Sequence, residues 1–289
     1  MLREASLPRT LPRTPEPNAT MDSAESIAGF DEQGASTLLP IYHFNALAIG
    51  GLAPRGAHLV DLGCGTGRFL AYLAARRPDL RITGLDFAPD MVRIGQQHIA
   101  RAGLTDRVRL MHGDMRAFRA LAPDRADLIS SIFSLHHLAT RDDLLACLRE
   151  IAIAIDVDHA LLWIFDHARP RRQRTADEVP DIFTPDASPA FREDSRNSLS
   201  ASWSFAELGA ALSETLPRGF HAARSRLLPL YQIHWVEPQA LADRGRWVED
   251  RDLRPALRRE ARLLRLLFRR TPRNPAGDWR GWRSETTVS

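Results

Sequence analysis

Between residues 57 and 167 the chain alternates between short apolar runs and amphipathic stretches. Five runs are short, apolar and rich in β-branched residues, which is typical of buried strands: AHLVDL (57–62), RITGLDF (81–87), RVRLMHGD (107–114), the start of ADLISSIFSLHHL (126–138) and HALLWIFDH (159–167). Three stretches between them predict helices, at 67–77, 88–103 and 141–154. Strands and helices that alternate at this spacing indicate a parallel sheet with helices on both faces.

The pattern changes on both sides of this region. Residues 36–50 predict an opening amphipathic segment. Residues 168–202 are rich in Pro, Arg, Asp and Ser and only weakly periodic, and a stretch of this length is too long for a bare connection, so we expect a lid or cap. Beyond it the pattern predicts a helix at 204–216, two further strands within 220–237 and an amphipathic helix at 253–268.

These segments divide the chain into three parts. Residues 1–25 are rich in Pro, Arg and Thr and predict a disordered leader. Residues 26–237 form the main domain, which contains the cap at about 168–202, and residues 238–289 form a basic C-terminal helix and tail. From Arg244 to Arg283 this last part carries 13 arginines and five acidic residues, which suits either a phosphate backbone or a helix packed on the body.

Composition narrows the chemistry that the chain can perform. Apolar residues make up 44% of the 289, which is ample for a core, and no segment is apolar for the length of a membrane span, so a cytoplasmic protein is expected. Two cysteines, Cys64 and Cys147, give neither a disulfide framework nor zinc-ligand spacing, and no metal site is predicted. Because every one of the 39 basic residues is arginine, lysine chemistry such as Schiff-base formation is excluded.

A glycine-rich turn joins the first strand to the first helix. Gly63, Gly65 and Gly67 alternate with other residues in VDLGCGTGRFL, and such a turn directs backbone N–H groups and the positive end of a helix dipole at one point. A phosphate loop is excluded because it needs lysine. A dinucleotide fingerprint needs a third glycine where Arg68 stands. S-adenosylmethionine remains as the candidate ligand.

Four motifs in order then resemble one family. VDLGCGTGRFL, GLDFAPDMV, HGDM and ISSIFSLHHL are similar to motifs of class I S-adenosylmethionine-dependent methyltransferases, and the last is similar to that of small-molecule enzymes of quinone biosynthesis. The resemblance covers about residues 40–167. It implies an α/β fold: a Rossmann-like doubly wound sheet, mostly parallel with an antiparallel last strand, with helices on both faces and a cap inserted after the fifth strand.

The resemblance also implies a cofactor site and roles within it. The predicted cofactor-binding residues are Asp61, Gly63, Cys64, Gly65, Gly67, Asp86, Phe87, Asp114 and Met115. Asp86 would accept the ribose hydroxyls, Asp114 the adenine amino group beside Met115, and Asp61 would hold the methionine ammonium. Asp61 could instead cap the loop, Asp114 could instead begin a helix, and Cys64 is expected to be only a small loop residue.

His136 and His137 are the predicted catalytic residues, because they follow the fourth strand at the carboxyl edge of the sheet, where open α/β folds bind ligands. An imidazole titrates near neutral pH, so either could accept a proton from the methyl acceptor, or shape the pocket instead. Asp166 and His167 end the fifth strand at the same edge and are secondary candidates.

The expected function is methyl transfer to a small-molecule acceptor at oxygen, nitrogen or carbon. SSIFS lacks the Asn/Asp-Pro-Pro-aromatic turn of adenine and glutamine N-methylation, and no cysteine near it could attack cytosine. The alternatives are a nucleic-acid methyltransferase that uses the basic tract, or an inactive cofactor-binding partner subunit. Within the cap, four residues are candidates for an acceptor pocket: Phe183, Phe191, Asn197 and Trp203.

Overall fold

The computed structural model describes residues 8–17, 24–34, 36–122, 124–226, 229–238 and 255–268. These residues build one seven-stranded sheet. Its strands are β1 (His58–Leu62), β2 (Arg81–Asp86), β3 (Val108–His112), β4 (Leu128–Ile132), β5 (Leu161–His167), β6 (His221–Arg224) and β7 (Tyr231–Val236). The order across the sheet is β3-β2-β1-β4-β5-β7-β6. Strands β1 to β5 are parallel, and β7 lies antiparallel to both β5 and β6, which confirms the predicted fold class.

Helices cover both faces of the sheet. They are α1 (Ala24–Gly34), α2 (Leu39–Leu52), α3 (Arg68–Arg76), α4 (Pro89–Arg101), α5 (Phe118–Leu121), α6 (Arg141–Val157), α7 (Gln173–Phe183), α8 (Pro189–Ala201), α9 (Phe205–Thr215) and α10 (Pro255–Phe268). Neighbouring residues of β1 belong to different cores, Leu59 to one beneath α2, α3 and α4, and Val60 to one beneath α6 and α9. The sequences of the central strands are continuous apolar runs because both faces of these strands are buried.

Local signals explain where several helices begin. Thr140 and Asp143 form a capping box at the start of α6, and Ser204 and Glu207 form one at the start of α9. Pro89 opens α4, and Gly103 follows its end at φ +66°. These signals hold the helices in register with the strands that carry the site.

The segment at 36–50 differs from its prediction of an amphipathic segment. It forms α2, which is buried on several sides because the sheet lies on one of them and α10 on another. The ring of Phe44 lies 5.4 Å from that of Phe268 in α10 and 5.7 Å from that of Phe165 in β5. The C-terminal helix predicted at 253–268 is therefore confirmed and packs on the body, and the tail after it lies outside the described residues.

The prediction of a disordered leader is wrong for residues 8–17. This N-terminal strap, as we call residues 8–17, has no helix or strand, but it docks on the cap: the backbone N–H groups of Thr10 and Leu11 donate to the Arg171 carbonyl, and Leu11 is buried. The cap itself is helical, with α7 packed on α8. No helix among the described residues is long and apolar enough to cross a membrane.

Candidate functional site

The glycine turn has a backbone that other residues would strain. Gly63, Gly65 and Gly67 have φ values of +78°, +53° and +66°. A Cβ on Gly63 would lie 2.7 Å from the Ser134 Oγ and closer still to its Cβ, and one on Gly67 would lie 2.7 Å from a methyl of Leu110. The turn therefore lies directly against the segment that follows β4 and against β3.

Asp86 ends β2 beside this turn. One carboxylate oxygen accepts the backbone N–H of Gly65 at 2.7 Å, and the other accepts that of Ala88 at 2.9 Å. Burial raises the pKa of this carboxyl, while the two N–H groups oppose that rise. Each carboxylate oxygen keeps a second lone pair, so the group can accept further hydrogen bonds from a ligand.

Asp61 lies on β1 below the turn. Its pairing register places it beside Ser130 of β4, whose hydroxyl donates to it. Burial raises the pKa of Asp61 to about 7, against the effect of the Ser130 hydrogen bond and with the help of nearby Asp86. A buried carboxyl with one hydroxyl partner is a place where a ligand cation would be stabilised.

A cavity of about 900 Å³ lies against the turn, and we call it the loop cavity. Seven of the nine predicted cofactor-binding residues line it: Asp61, Gly63, Cys64, Gly65, Asp86, Phe87 and Met115. Residues that sequence reasoning did not name also line it, among them Phe30, Tyr42 and Thr66. Cys64 is buried, which raises the pKa of its thiol, so it contributes shape rather than a nucleophile.

Gly67 and Asp114 are not among the residues that line the loop cavity. Gly67 precedes the first residue of α3, where its left-handed backbone makes the turn. The Asp114 carboxylate accepts the backbone N–H of Arg116 at 2.8 Å and pairs with its guanidinium at 2.6 Å. The helix-start alternative for Asp114 thus holds, and its adenine role stays a prediction.

A second cavity of about 770 Å³ lies between the sheet edge and α7 and α8, and we call it the cap cavity. Its walls are mostly apolar and include Val179, Leu199 and Leu230, together with the predicted Phe183 and Phe191. Asn197 does not line it, and Trp203 is buried, with its indole N–H donating to the Leu135 carbonyl at 3.0 Å.

Four residues line both cavities: Phe30, Leu38, Phe133 and His137. Phe133 follows β4 with a φ of +54°, a backbone that bulky residues rarely adopt. Its ring stacks on His167 with ring centres 4.4 Å apart, and His167 in turn stacks on Tyr231. The two cavities therefore share a wall that the turn after β4 supplies.

His136 is buried and held by Asp166. Its Nδ1 lies 2.7 Å from the Asp166 Oδ1. Burial opposes a charge on this ring, but the Asp166 carboxylate outweighs burial and raises the pKa of His136 to about 9. The same pair lowers the pKa of Asp166. The Asp166 carboxylate therefore favours the protonated ring, and of the two cavities His136 lines the cap cavity.

His137 has a different partner, which sequence reasoning missed. Its Nδ1 lies 2.6 Å from an oxygen of Glu16 in the strap. Burial would raise the pKa of Glu16, but the two histidines outweigh it and lower that pKa to about 2. No local pattern marks Glu16, because its partners lie more than 120 residues away.

Two more titratable groups line the cap cavity. Burial and the nearby Glu16 charge raise the pKa of Asp194 to about 6. Burial and the charge on His136 lower the pKa of His167 to about 3, so that ring is neutral. Among the described residues, Glu16, His136 and His137 are also near enough, within 4.8 Å, for their ligand-type atoms to hold a metal ion, although hydrogen bonds already engage all three side chains.

Part of the chain matches a known family of domains. Residues 59–156 match the family of methyltransferase domains. The ubiquinone biosynthesis O-methyltransferase of Paracidovorax citrulli is 31% identical over 130 residues, which are 42% of this chain and 53% of that protein. A probable fatty acid methyltransferase of Pseudomonas putida is 34% identical over 93 residues, 32% of this chain and 23% of that protein. The chain spans about half or less of the length of the curated relatives it matches.

Solved structures share the fold. The plantazolicin methyltransferase BpumL in complex with SAH matches with a TM-score of 0.57 over 75% of this chain and 92% of that one, at 13% identity. The mitomycin 7-O-methyltransferase MmcR matches with a TM-score of 0.52 over 74% of this chain and 57% of that one, at 22% identity. Residues 59–156 therefore match a methyltransferase domain, and the described residues share the fold of solved methyltransferases.

Proposed function

We propose that this chain transfers a methyl group from S-adenosylmethionine in the loop cavity to a small-molecule acceptor in the cap cavity. The observation that carries the proposal is the shared wall: His137 and Phe133 line both cavities. The two cavities therefore adjoin at these side chains, and this is where an acceptor atom would contact the methyl carbon directly, on the side opposite the sulfur. Alignment of this kind, with water excluded, supplies much of the rate of a transfer reaction.

The residues of the loop cavity suit the cofactor. Asp86 would hold the ribose hydroxyls and Asp61 the ammonium, and Phe87 and Met115 would lie against the adenine. When bound, S-adenosylmethionine supplies a methyl group on a sulfonium sulfur, which keeps the bonding electron pair as the methyl leaves. The cavity has the few convergent polar groups of a small-molecule site.

His137 is the residue that we assign to proton transfer. An acceptor hydroxyl or amine loses a proton as its oxygen or nitrogen gains the methyl, and His137 lies between the cavities to accept it. His136 does not suit this role, because the Asp166 carboxylate keeps it protonated at neutral pH. Its buried positive charge instead favours the developing anion of an acceptor oxygen.

The cap cavity favours an uncharged, largely apolar acceptor with one hydroxyl or amine. Among the described residues that line it there is no arginine, and the charge on His136 is already paired with Asp166. The arginines at the start of the cap point elsewhere: Arg169 donates to the Ser202 carbonyl and to Glu207, and Arg174 forms an exposed pair with Glu178. The relatives named as O-methyltransferases support a hydroxyl acceptor.

The test is a methyl-transfer assay on the whole chain with labelled S-adenosylmethionine. The acceptors are phenols, aliphatic alcohols, aromatic amines, carboxylic acids and RNA. We expect transfer to uncharged apolar acceptors, and His137→Ala should lower kcat by about 10²–10⁴-fold. His159→Asn is the matched control, since His159 is exposed at the opposite end of β5 and should keep the wild-type rate.

Three results would overturn the proposal. The first is no transfer to any acceptor by a chain that binds the cofactor, which would leave a cofactor-binding partner subunit. The second is transfer only to anionic acceptors or RNA. The third is an unchanged rate in His137→Ala.

A further inference from the structure

The N-terminal strap reaches the methyl-transfer site as well as the cap. Leu11 is buried with Ala176 and Val179 of α7, Leu199 of α8 and Leu230. The backbone N–H of Thr14 donates to the Ser200 carbonyl at 3.2 Å. A segment without helix or strand is thus fixed at several points by partners far away in the sequence.

Arg13 of the strap holds the turn that carries the two histidines. Its guanidinium donates to the carbonyls of His136 at 3.1 Å and Leu138 at 2.6 Å, and also to that of Ala139. The same guanidinium lies 3.6 Å above the centre of the Trp203 ring. These are carbonyls of the short helical turn Leu135–His137 and the residues after it, so the strap restrains the turn directly.

Glu16, three residues further on, lies between this turn and the cap. Its side chain is 8% exposed. One oxygen lies 2.6 Å from Nδ1 of His137, and the other accepts the Ser198 hydroxyl of α8 at 2.7 Å and lies 3.7 Å from Nε2 of His136. The Glu16 carboxylate therefore links the strap to the turn Leu135–His137 and to α8, which forms part of the wall of the cap cavity.

We propose that Glu16 is a positioning residue of the methyl-transfer site: the strap places its carboxylate beside Nδ1 of His137. A carboxylate that accepts Nδ1–H fixes the imidazole tautomer and leaves Nε2 as the nitrogen that can take a proton. When the acceptor transfers its proton to Nε2, the ring becomes an imidazolium, and the Glu16 carboxylate stabilises that charge. The inference rests on the proposed function for the identity of the proton donor. The tautomer of His137, however, can be measured whether or not the chain transfers a methyl group.

Several charged groups face His137 from the surrounding elements, and they set the direction of a pH effect. Glu16 lies on the strap and His136 on the same turn, while Asp194 of α8 and Asp86 of β2 interact with His137 electrostatically. Glu16 is the carboxylate in direct contact, and Asp194 and Asp86 act from further away. Loss of Glu16 therefore removes the carboxylate that is nearest to the His137 ring.

The first measurement is ¹⁵N NMR of the histidine rings at pH 8, with S-adenosylhomocysteine bound and His137 assigned through His137→Asn. The variants are Glu16→Gln and Glu16→Ala, with Thr14→Ala as the control because Thr14 is an exposed residue of the same strap. In the wild type and the control, Nδ1 should carry the proton and Nε2 should not. In Glu16→Ala the population should shift toward the Nε2–H tautomer. An unchanged tautomer in Glu16→Ala would overturn the proposal, whether or not the chain turns over.

The second measurement is the pH dependence of kcat with an accepted substrate. Glu16→Ala should lower kcat by about 10–100-fold, with KM for the cofactor within twofold, and Glu16→Gln, which removes the carboxylate charge beside His137, should shift the rising limb of the pH profile. Wild-type kcat and an unmoved limb in both variants would contradict the proposal. Elemental analysis of the purified chain completes the test, since a stoichiometric metal that Glu16→Ala removes would make Glu16 a ligand instead. Failure of the wild type to methylate any acceptor would contradict the proposed function alone.

Discussion

Gly63→Ala is the substitution that most directly tests why the turn after β1 is made of glycine. Gly63 has a φ of +78°, and an added Cβ would lie 2.7 Å from the Ser134 Oγ. Ser134 has little freedom to move, because its hydroxyl donates to the Leu62 carbonyl at 2.6 Å and lies 2.6 Å from the Ser131 Oγ. The new methyl group must therefore displace either the turn or the start of the segment after β4.

Three costs combine in this variant. The left-handed backbone costs about 1–2 kcal/mol for a residue with a Cβ. Forcing a methyl group into a packed site costs about 1–3 kcal/mol. Disturbing the buried Ser134 hydrogen bond costs about 1 kcal/mol. We expect a total loss of about 3–6 kcal/mol in the free energy of unfolding, which is a large part of the 5–15 kcal/mol typical of a domain.

Gly103→Ala provides the matched control. Gly103 has a φ of +66°, but an added Cβ would meet nothing within 4 Å, so only the backbone cost of about 1–2 kcal/mol applies. Urea unfolding of both variants, with and without S-adenosylhomocysteine, separates the steric cost from the backbone cost. Ser134→Gly in the Gly63→Ala background removes the clashing atoms and should recover part of the loss. Equal losses in Gly63→Ala and Gly103→Ala, or no recovery in the double variant, would refute the close-packing argument.

Three further predictions follow from buried charge. Asp86→Ala should weaken S-adenosylhomocysteine binding by about 1–3 kcal/mol in calorimetry, the scale of lost buried hydrogen bonds, and unchanged affinity would contradict its ribose role. Arg77→Met should lower the free energy of unfolding in urea by about 2–4 kcal/mol. The buried guanidinium donates to three backbone carbonyls at and just after the C-terminal end of α2, and it pairs with Asp79. A loss below about 1 kcal/mol would contradict this. Glu16 has a pKa lowered from 4.5 to about 2 in the folded protein. Its ionised carboxylate therefore stabilises the folded state above pH 4.5, and this contribution is lost as the pH falls toward 2. That loss is about 3 kcal/mol, and a Glu16→Gln variant with the same acid unfolding curve as the wild type would contradict it.

The elements that the sequence predicts well are those with strong local patterns. The central strands are continuous apolar runs because both faces are buried, and the glycine spacing marks a backbone that no side chain tolerates. The loop-cavity residues follow from these patterns because the carboxyl ends of parallel strands meet at one edge. Asp61 and Asp86 reach the same cavity for this reason.

The strap is fixed by long-range contacts that such local patterns do not predict. Its prolines and arginines correctly predict the lack of a helix or strand, but a segment without regular structure can still be fixed by tertiary contacts. Arg13 donates to Ala201, 188 residues away, and Glu16 accepts from Ser198, 182 residues away. A local sequence pattern covers only neighbouring residues, so it cannot predict contacts between residues this far apart.

The roles of the two histidines also depend on tertiary contacts. They are adjacent in sequence and both follow β4, so sequence reasoning treats them alike. The structure separates them by partner and by cavity: Asp166 holds buried His136, whereas His137 contacts Glu16 and lines both cavities. Asp194 was missed for a similar reason, because only the fold of the cap brings it to the cap cavity.

Calorimetric titration of the whole chain with S-adenosylhomocysteine is the most direct test of the central claim, that the glycine turn and Asp86 form a cofactor site. We expect one molecule per chain with a dissociation constant of about 1–100 μM, and no competition from NAD. The absence of binding at about 1 mM, or displacement by NAD, would contradict the account.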